Sequence, residues 1–464
     1  MSARDPESFR DHIATVNKQG KRVWIYPKKP SGRFYRARTW VSYILLLILF
    51  SGPFITIGGN PALLLDIIHR KFYILGFPFW PHDMYLFGLG IIILIIFIIL
   101  FTAVFGRVFC GWICPQTIFM EMVFRKIEYW IEGDAQQQRR LNAAPWTGQK
   151  IFKKGLKFSI FYGISFLVGN TFLAYIIGKD ALWDIVTAPP GEHLTGLVAM
   201  IIFSLIFFGV FAWFREQVCV MVCPYGRLQG VLLDQNSIVV HYDFVRGEPR
   251  GKGKRTGDST LGDCVDCHQC VDVCPTGIDI RNGTQLECVN CTACMDACDN
   301  IMDKVSRPRG LIRYASFNSI QNGISRLMNP RVAGYSVVLG LLITLFSILV
   351  AGRSVVDVTV LRTPGVLYQE MEDGSIRNLY NIDVINKQEE PVTITLRLFE
   401  PEVGTASLVN ELTVEGNDLL QSAFFVALPR DAIRTSPVPL QIEVQANGRT
   451  VKVISTAFVG PVSP

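Results

Sequence analysis

Residues 264–275 read C-V-D-C-H-Q-C-V-D-V-C-P, and residues 288–299 read C-V-N-C-T-A-C-M-D-A-C-D. Eight cysteines therefore fall in two C-x-x-C-x-x-C-x-x-x-C runs. In the bacterial two-cluster arrangement, three cysteines of one run hold one cubane and the fourth crosses to the other. The spacing assigns Cys264, Cys267, Cys270 and Cys298 to one 4Fe–4S cluster, and Cys288, Cys291, Cys294 and Cys274 to a second. The second run departs from the pattern, with Asp299 where the first has Pro275. Proline ends a loop but ligates nothing, so the departure spares the cluster. Zinc is the competing reading, yet zinc prefers four ligands in two C-x-x-C pairs, which this spacing fits poorly. His268 reads as a solvated loop residue, because the cysteines already complete both sets.

Outward from this stretch, the chain is greasy. Its 464 residues allow roughly two to four domains, half of them are hydrophobic, and mean hydropathy is positive. The formal net charge is +6, and all 12 cysteines lie between Cys110 and Cys298. Cysteines at ligand spacings, not disulfide spacings, point to reduced thiols and a cytosolic setting.

Residues 1–38 hold ten Lys or Arg and show no cleavable leader, so they read as a basic cytoplasmic arm. Five apolar stretches follow at 40–57, 86–105, 158–177, 196–214 and 332–350, each near the roughly 20 residues of a spanning helix. Gly52-Pro53 should kink the first. The loop 58–85 carries only Arg70 and Lys71, and the loop 178–195 only Lys179. The arm, the loop 106–157 and the segment 215–331 are rich in both basic residues, which places these three in the cytoplasm. The expected architecture is multi-domain. An α-helical membrane bundle of five spanning helices carries an inserted bacterial-type two-cluster ferredoxin module and a C-terminal all-β immunoglobulin-like sandwich. Its parts are a cytoplasmic arm at 1–38, a four-helix membrane region at 39–245, a Gly- and Lys/Arg-rich linker at 246–262, the ferredoxin module at 263–312, a fifth membrane helix at 332–351 and a periplasmic domain at 352–464. Period-two runs such as V-T-I-T-L-R-L-F at 392–399 carry the sandwich reading. Nothing in this tail looks catalytic. The setting is the inner membrane of a bacterium.

Four cysteines remain. R-V-F-C-G-W-I-C-P at 107–115 and E-Q-V-C-V-M-V-C-P at 216–224 place Cys110, Cys114, Cys219 and Cys223 just past two apolar stretches. The matched motifs imply an internal duplication, whose interface is where membrane proteins often bind ligands. Cys114 and Cys223 should precede helices beginning at Pro115 and Pro224. The stretch after Pro115 is amphipathic enough to lie along the membrane surface. Thiols near Arg107 or Arg215 at a helix start should have lowered pKa values, and soft thiolates select Cu(I), zinc or iron–sulfur centres. The bland alternatives are buried packing cysteines and a static zinc site. His69, His82 and His193 fall in the two other loops. They suit metal passage or quinol contact, although isolated loop histidines usually do neither, and they carry no assignment.

The residues C-G-W-I-C-P-Q-T (110–117), C-P-Y-G-R-L-Q (223–229), C-P-T-G-I-D-I-R-N-G (274–283) and C-D-N-I-M-D-K (298–304) resemble the cytochrome c oxidase accessory protein family CcoG, also called FixG or RdxA. The resemblance covers nearly the whole chain. It implies a Cu(II) reductase that supplies Cu(I) for assembly of the cbb-type haem–copper oxidase, with copper handled at Cys110, Cys114, Cys219 and Cys223. Expected partners are membrane lipid, a cytoplasmic electron donor, and copper-handling and oxidase-assembly proteins, without nucleic acid; homodimerisation stays open. Two rivals stand beside it. One is a polyferredoxin electron-transfer subunit linked to quinol or ferredoxin. The other is a non-enzymatic assembly factor with structural clusters.

Overall fold

In a computed structural model of the chain, the residues described are 15–17, 19–66, 71–79, 83–252, 261–324, 327–354, 356–363, 365, 368–388, 390–409 and 412–461. His69, His82, most of the arm before residue 15 and the middle of the 246–262 linker lie outside them. Five helices are long and apolar enough to cross a membrane: Arg33–Phe54, Met84–Phe105, Gly148–Ile177, Leu194–Phe214 and Pro330–Ala351. The chain is a multi-pass membrane protein. Gly52-Pro53 ends the first α-helix where a kink was expected. The α-helix stops at Ser51, and a single 3₁₀ turn, Gly52–Phe54, follows, because proline cannot donate to the preceding turn. The third spanning helix begins ten residues before its apolar stretch, at Gly148, where the Thr147 hydroxyl caps the Lys150 N–H.

The chain divides into two compact units, residues 1–346 and 347–464. In the first, Phe119, Phe124, Phe161 and Phe211 build a core between helices, with Phe124 stacked on Phe211 at 4.5 Å between centroids. The segment after Pro115 packs into this core: Ile118–Phe124 forms a π-helical turn whose Ile118, Phe119, Met120, Met122 and Phe124 are all buried, where its apolar face meets residues of two spanning helices.

The basic arm is wound into the same unit. The Lys28 N–H donates to the Asp272 carbonyl at 2.8 Å, the Lys29 N–H to Asp134 at 2.9 Å, and the Tyr129 hydroxyl to the Pro27 carbonyl at 3.1 Å. Asp296, in the helix Ala293–Lys304, accepts the N–H groups of Phe34 and Tyr35 at 3.1 and 2.7 Å. It thus caps the first spanning helix with an acidic side chain at its positive end. The ferredoxin module is closed by an antiparallel ribbon of Val239–Tyr242 and Ile312–Ala315. The first of these strands is one the sequence reading leaves with the membrane region.

The second unit carries two antiparallel sheets. One runs Thr405–Leu408, Leu419–Pro429, Ser375–Asn386, Val356–Arg362, with Gln369–Glu370 also paired to Ser375–Asn386. The other runs Leu412–Val414, Val392–Glu400, Val438–Ala446, Arg449–Phe458. Alternate residues of both sheets face one apolar core that includes Ile382, Phe424, Ile442 and Phe458, the arrangement of a β-sandwich. The Tyr380 hydroxyl reaches across to the Ala457 carbonyl at 2.9 Å. The tail is therefore the β-rich, immunoglobulin-like domain that alternation in the sequence implies.

Candidate functional site: two cysteine cavities and a paired C-x-x-x-C-P motif

The two cysteine runs fold alike. Asp266 and His268 in the first loop have φ of 52° and 56°; Asn290 and Thr292, at the same positions of the second, have 53° and 63°. Asp, Asn and His tolerate this left-handed region better than other residues. Alternating handedness in successive residues turns backbone N–H groups inward and makes an anion-binding concavity of the kind iron–sulfur sites use. Each loop then runs into a helix, Gln269–Asp272 and Ala293–Lys304.

Two cavities result. Cys264, Cys267, Cys270 and Cys298 line one, together with Tyr242 and Arg281. Cys274, Cys288, Cys291 and Cys294 line the other, with Cys270 at the edge between them. Burial and the neighbouring thiols push Cys270 and Cys288 up to about 12 and Cys291 to about 11. Thiols so disfavoured as free anions gain from a cation that takes their charge. Among the described residues no three His, Cys, Asp or Glu side chains stand close enough to share one ion, and this holds for Cys110, Cys114, Cys219 and Cys223 as well as for the cluster cysteines, so the four C-x-x-x-C-P sulfurs do not converge on a single ion. At the cluster cysteines that suits a cubane, in which each iron takes its own thiolate. The donor set thus fits two 4Fe–4S clusters.

Around the first cavity, the buried Arg281 ties the loop down. It donates to Asp266 at 2.6 Å and to Asp279 at 2.7 Å, and lies 2.9 Å from His268 Nδ1. These bonds hold the Asp266 carboxyl below its usual range. His268 is a half-exposed loop residue, engaged by Arg281 and Asp266.

The duplication of the C-x-x-x-C-P motifs is visible in the backbone. The second spanning helix ends at Gly106 (φ 56°, ψ −134°), and the fourth at Arg215 (φ 55°, ψ −124°). Cys110 and Cys219 each lie four residues further on. The Cys114 N–H donates to the Phe109 carbonyl at 2.9 Å, and the Cys223 N–H to Val218 at 2.7 Å. Both cysteines then leave the helical region and precede helices starting at Pro115 and Pro224.

Cys219 lies within electrostatic reach of Cys114, Cys110 and Cys223. After burial, their charges push its thiol up to about 12, against the pull of Arg107. Cys110 is also raised, chiefly by burial, in spite of Arg107 and Gln229. At Cys110 and Cys219 this is the reverse of the lowering expected for the motif thiols. Arginine is present, but desolvation outweighs it. Gln229 sits between the two groups: its Nε2 is 3.5 Å from Cys110 Sγ, and its Oε1 accepts from Arg107 Nε. Arg107 also donates to the Leu286 carbonyl. Gln229 and Tyr225 share one helix face at i and i+4. The stretch C-P-Y-G-R-L-Q held that signal, but nothing in the sequence showed that the face meets Cys110.

The first motif packs on the second cysteine loop. Cys110 joins Val289 and Cys291 in one apolar cluster. The Trp112 indole N–H donates to the Tyr314 hydroxyl at 3.0 Å, which donates to the Asn290 carbonyl at 3.3 Å. Gly111 is backed so closely that an added Cβ would lie 2.5 Å from the Val289 carbonyl oxygen. Arg38 Nε donates to the Gly111 carbonyl at 2.9 Å.

A buried ion network flanks the second motif, and sequence reasoning missed it. Glu128 pairs with Arg215 and, at 3.5 Å, with Lys157; Lys157 also reaches Glu132 at 2.9 Å, and Arg125 reaches Glu121 at 2.9 Å. Burial alone would raise the Glu128 carboxyl, but Arg215, Lys157 and Arg125 hold it below its usual range. His193 only precedes the fourth spanning helix, far in sequence from every site cysteine.

Three family profiles match this chain. A 4Fe–4S dicluster domain covers residues 214–317, a 4Fe–4S binding domain covers 87–133, and the IG-like fold at the C-terminus of FixG covers 346–461. The chain is 37% identical to Protein RdxA of Cereibacter sphaeroides over 386 residues, 80% of this chain and 81% of that protein. It is 36% identical to Protein RdxB of the same organism over 401 residues, covering 81% and 82%. It is 34% identical to the nitrogen fixation protein FixG of Rhizobium meliloti over 445 residues, covering 85% and 83%. A crystal structure of a FixG-related protein from Vibrio parahaemolyticus aligns with 23% of this chain and 97% of its own, at 16% identity and a TM-score of 0.20. At 37% identity to RdxA across about four-fifths of both proteins, the chain belongs to the FixG/RdxA family.

Proposed function

We propose that this protein is a membrane oxidoreductase that reduces Cu(II) to Cu(I) at its paired C-x-x-x-C-P motifs, in the service of cbb-type oxidase assembly. The observation that carries the reading is the packing of Cys110–Trp112 directly on the loop that bears Cys288 and Cys291. Two 4Fe–4S clusters, held by Cys264, Cys267, Cys270 and Cys298 and by Cys274, Cys288, Cys291 and Cys294, supply one-electron storage when bound. The chain's own residues prepare the copper end. Cys110, Cys114, Cys219 and Cys223 are soft donors that favour Cu(I) over Cu(II). Burial raises the thiols of Cys110 and Cys219 and keeps these two protonated until a metal displaces the proton, so a copper ion is bound there with proton release. Arg107 and Gln229 fix the Cys110 thiol between the motif pair and the cysteine loop. Each turnover adds one electron to one Cu(II), and that electron comes from a reduced cytoplasmic donor.

The test uses full-length protein purified without oxygen, with Cu(II) reduction read by a Cu(I)-specific chelator and dithionite as electron source. Cys110→Ser/Cys114→Ser and Cys219→Ser/Cys223→Ser should each abolish turnover with iron content unchanged. Full reduction in both variants would remove copper from these cysteines.

A further inference from the structure

An open cleft of about 460 Å³ lies at the head of the first spanning helix. Lys29, Arg36 and Lys126 line it, together with Tyr35, Trp40 and Tyr43. Among the described residues, none of these three cations has a carboxylate within ion-pair distance. The acids bonded to this region are occupied: Asp134 accepts the Lys29 backbone N–H, Glu121 pairs with Arg125, and Asp296 accepts the N–H groups of Phe34 and Tyr35. Lys126 is held in place without a counter-charge. Its Nζ lies 5.2 Å from the Tyr43 ring centroid and 5.6 Å from that of Tyr35, and donates to Thr39 Oγ1 at 3.2 Å. Burial, then Arg38 and Lys29, hold its amine below the usual range, which marks a local surplus of positive charge.

Below the cleft, Trp40, Tyr43, Ile44 and Leu47 are all more than half exposed. Their i, i+3, i+4, i+7 spacing draws one apolar stripe down the helix. Trp and Tyr at the top of such a stripe mark the headgroup level of a bilayer. Cations without partners therefore sit directly above a surface built for acyl chains.

We propose that this cleft is a binding site for an anionic phospholipid. Its phosphodiester is held by Lys29, Arg36 and Lys126, and its chains lie along Trp40, Tyr43, Ile44 and Leu47. A soluble phosphate has the same anionic chemistry but makes no use of the stripe. A neutral quinone is a rival because Tyr35 also lines a smaller inner cavity that reaches Cys291, but a neutral ring leaves three cations uncompensated. A phospholipid uses both features.

Delipidated full-length protein in detergent is titrated with fluorescent phosphatidylglycerol and with phosphatidylcholine of the same chains. Saturable binding of the first and not the second is expected. Arg36→Gln/Lys126→Gln should weaken it by roughly thirtyfold, from the typical contribution of two cations at a membrane surface. Arg139→Gln/Arg140→Gln, an exposed basic pair elsewhere, should leave it unchanged. Iron content reports folding, and the single change of exposed Arg36 to Gln, expected to weaken binding by about fivefold, serves if the double variant is not recovered. Equal affinity in wild type and variant, or equal binding of phosphatidylcholine, overturns the proposal. Displacement by millimolar inorganic phosphate would make it a soluble-anion site, and displacement by a short-chain quinone a quinone site; either result also overturns it.

Discussion

At the scale of single residues, the chain spends most of its precision on sulfur and on buried charge. Cys267 is exposed whereas Cys264 and Cys270 are buried, yet all three line one cavity with Cys298. Replacing Cys267 with Ala removes one donor from that cavity and none from the other. Iron and sulfide should fall to about half, as expected for one lost cubane of two, and the EPR signal of the second cluster should persist in reduced protein. Loss of zinc in place of iron would overturn the cluster assignment. Glu128 makes the second case. Its carboxylate is buried among Arg215, Lys157 and Arg125. Removing one member of such a set leaves uncompensated charge and costs about 3–5 kcal/mol. The sign with pH follows from the lowered carboxyl. The ion pair's contribution is complete above the ordinary glutamate value of 4.5 and is lost as pH falls through the lower folded value. Thermal melts of wild type and Glu128→Gln should thus differ by a constant amount from about pH 6 to 8. The gap should narrow only below pH 4.5. A gap that closes in the neutral range would mean another group dominates.

At the scale of elements, the duplicated motif is the unit that makes the site. Matching breaks at Gly106 and Arg215, and matching bonds at Cys114 and Cys223, show two copies of one local fold. Gly106 meets the positive φ at no cost, whereas Arg215 bears a strain of about 1–3 kcal/mol while its side chain is held by Glu128. The sequence displayed the repeat through its cysteine and proline spacing, because proline and ligand positions are fixed by local geometry. It did not display what Cys110 packs against. That depends on long-range contacts from Gln229, Tyr314 and Val289, which no local period encodes. The thiol pKa values were misjudged for the same reason: the arginines are local, but the burial that outweighs them is tertiary. Gly111 tests this interface. A methyl there meets backbone oxygens of Val289 and Asn290 at 2.5 and 2.7 Å, which no side-chain rotation relieves. Gly111→Ala should destabilise the protein by about 1–3 kcal/mol, perturb the EPR of the second cluster and spare the first. An unchanged second-cluster spectrum would show that the motif and the loop are not mechanically joined.

At the scale of the whole molecule, each unit shows a different balance of pattern and context. The five apolar stretches and the alternating strands of the tail were legible because bilayer thickness and sheet pleat impose lengths and periods directly on sequence. The fate of the basic arm was not, since its bonds to Asp272, Asp134 and Tyr129 join segments more than a hundred residues apart. Those bonds bear on topology. The arm, the segment after the second spanning helix and the cysteine loops pack into one body, so they must share one side of the membrane. Leu64 and Gly178, from the two remaining loops of this unit, approach each other elsewhere in the unit, with an added Cβ on Gly178 lying 3.9 Å from Leu64 Cδ1. This is the partition that successive spans impose by alternating sides, and it matches the distribution of Lys and Arg. We propose from the positive-inside rule that the basic body faces the cytoplasm. A phosphatase that works only in the periplasm should be active when fused after Pro464 and inactive when inserted at residue 257. Activity at residue 257 and silence at Pro464 would reverse the protein, and would move its source of electrons out of the cytosol.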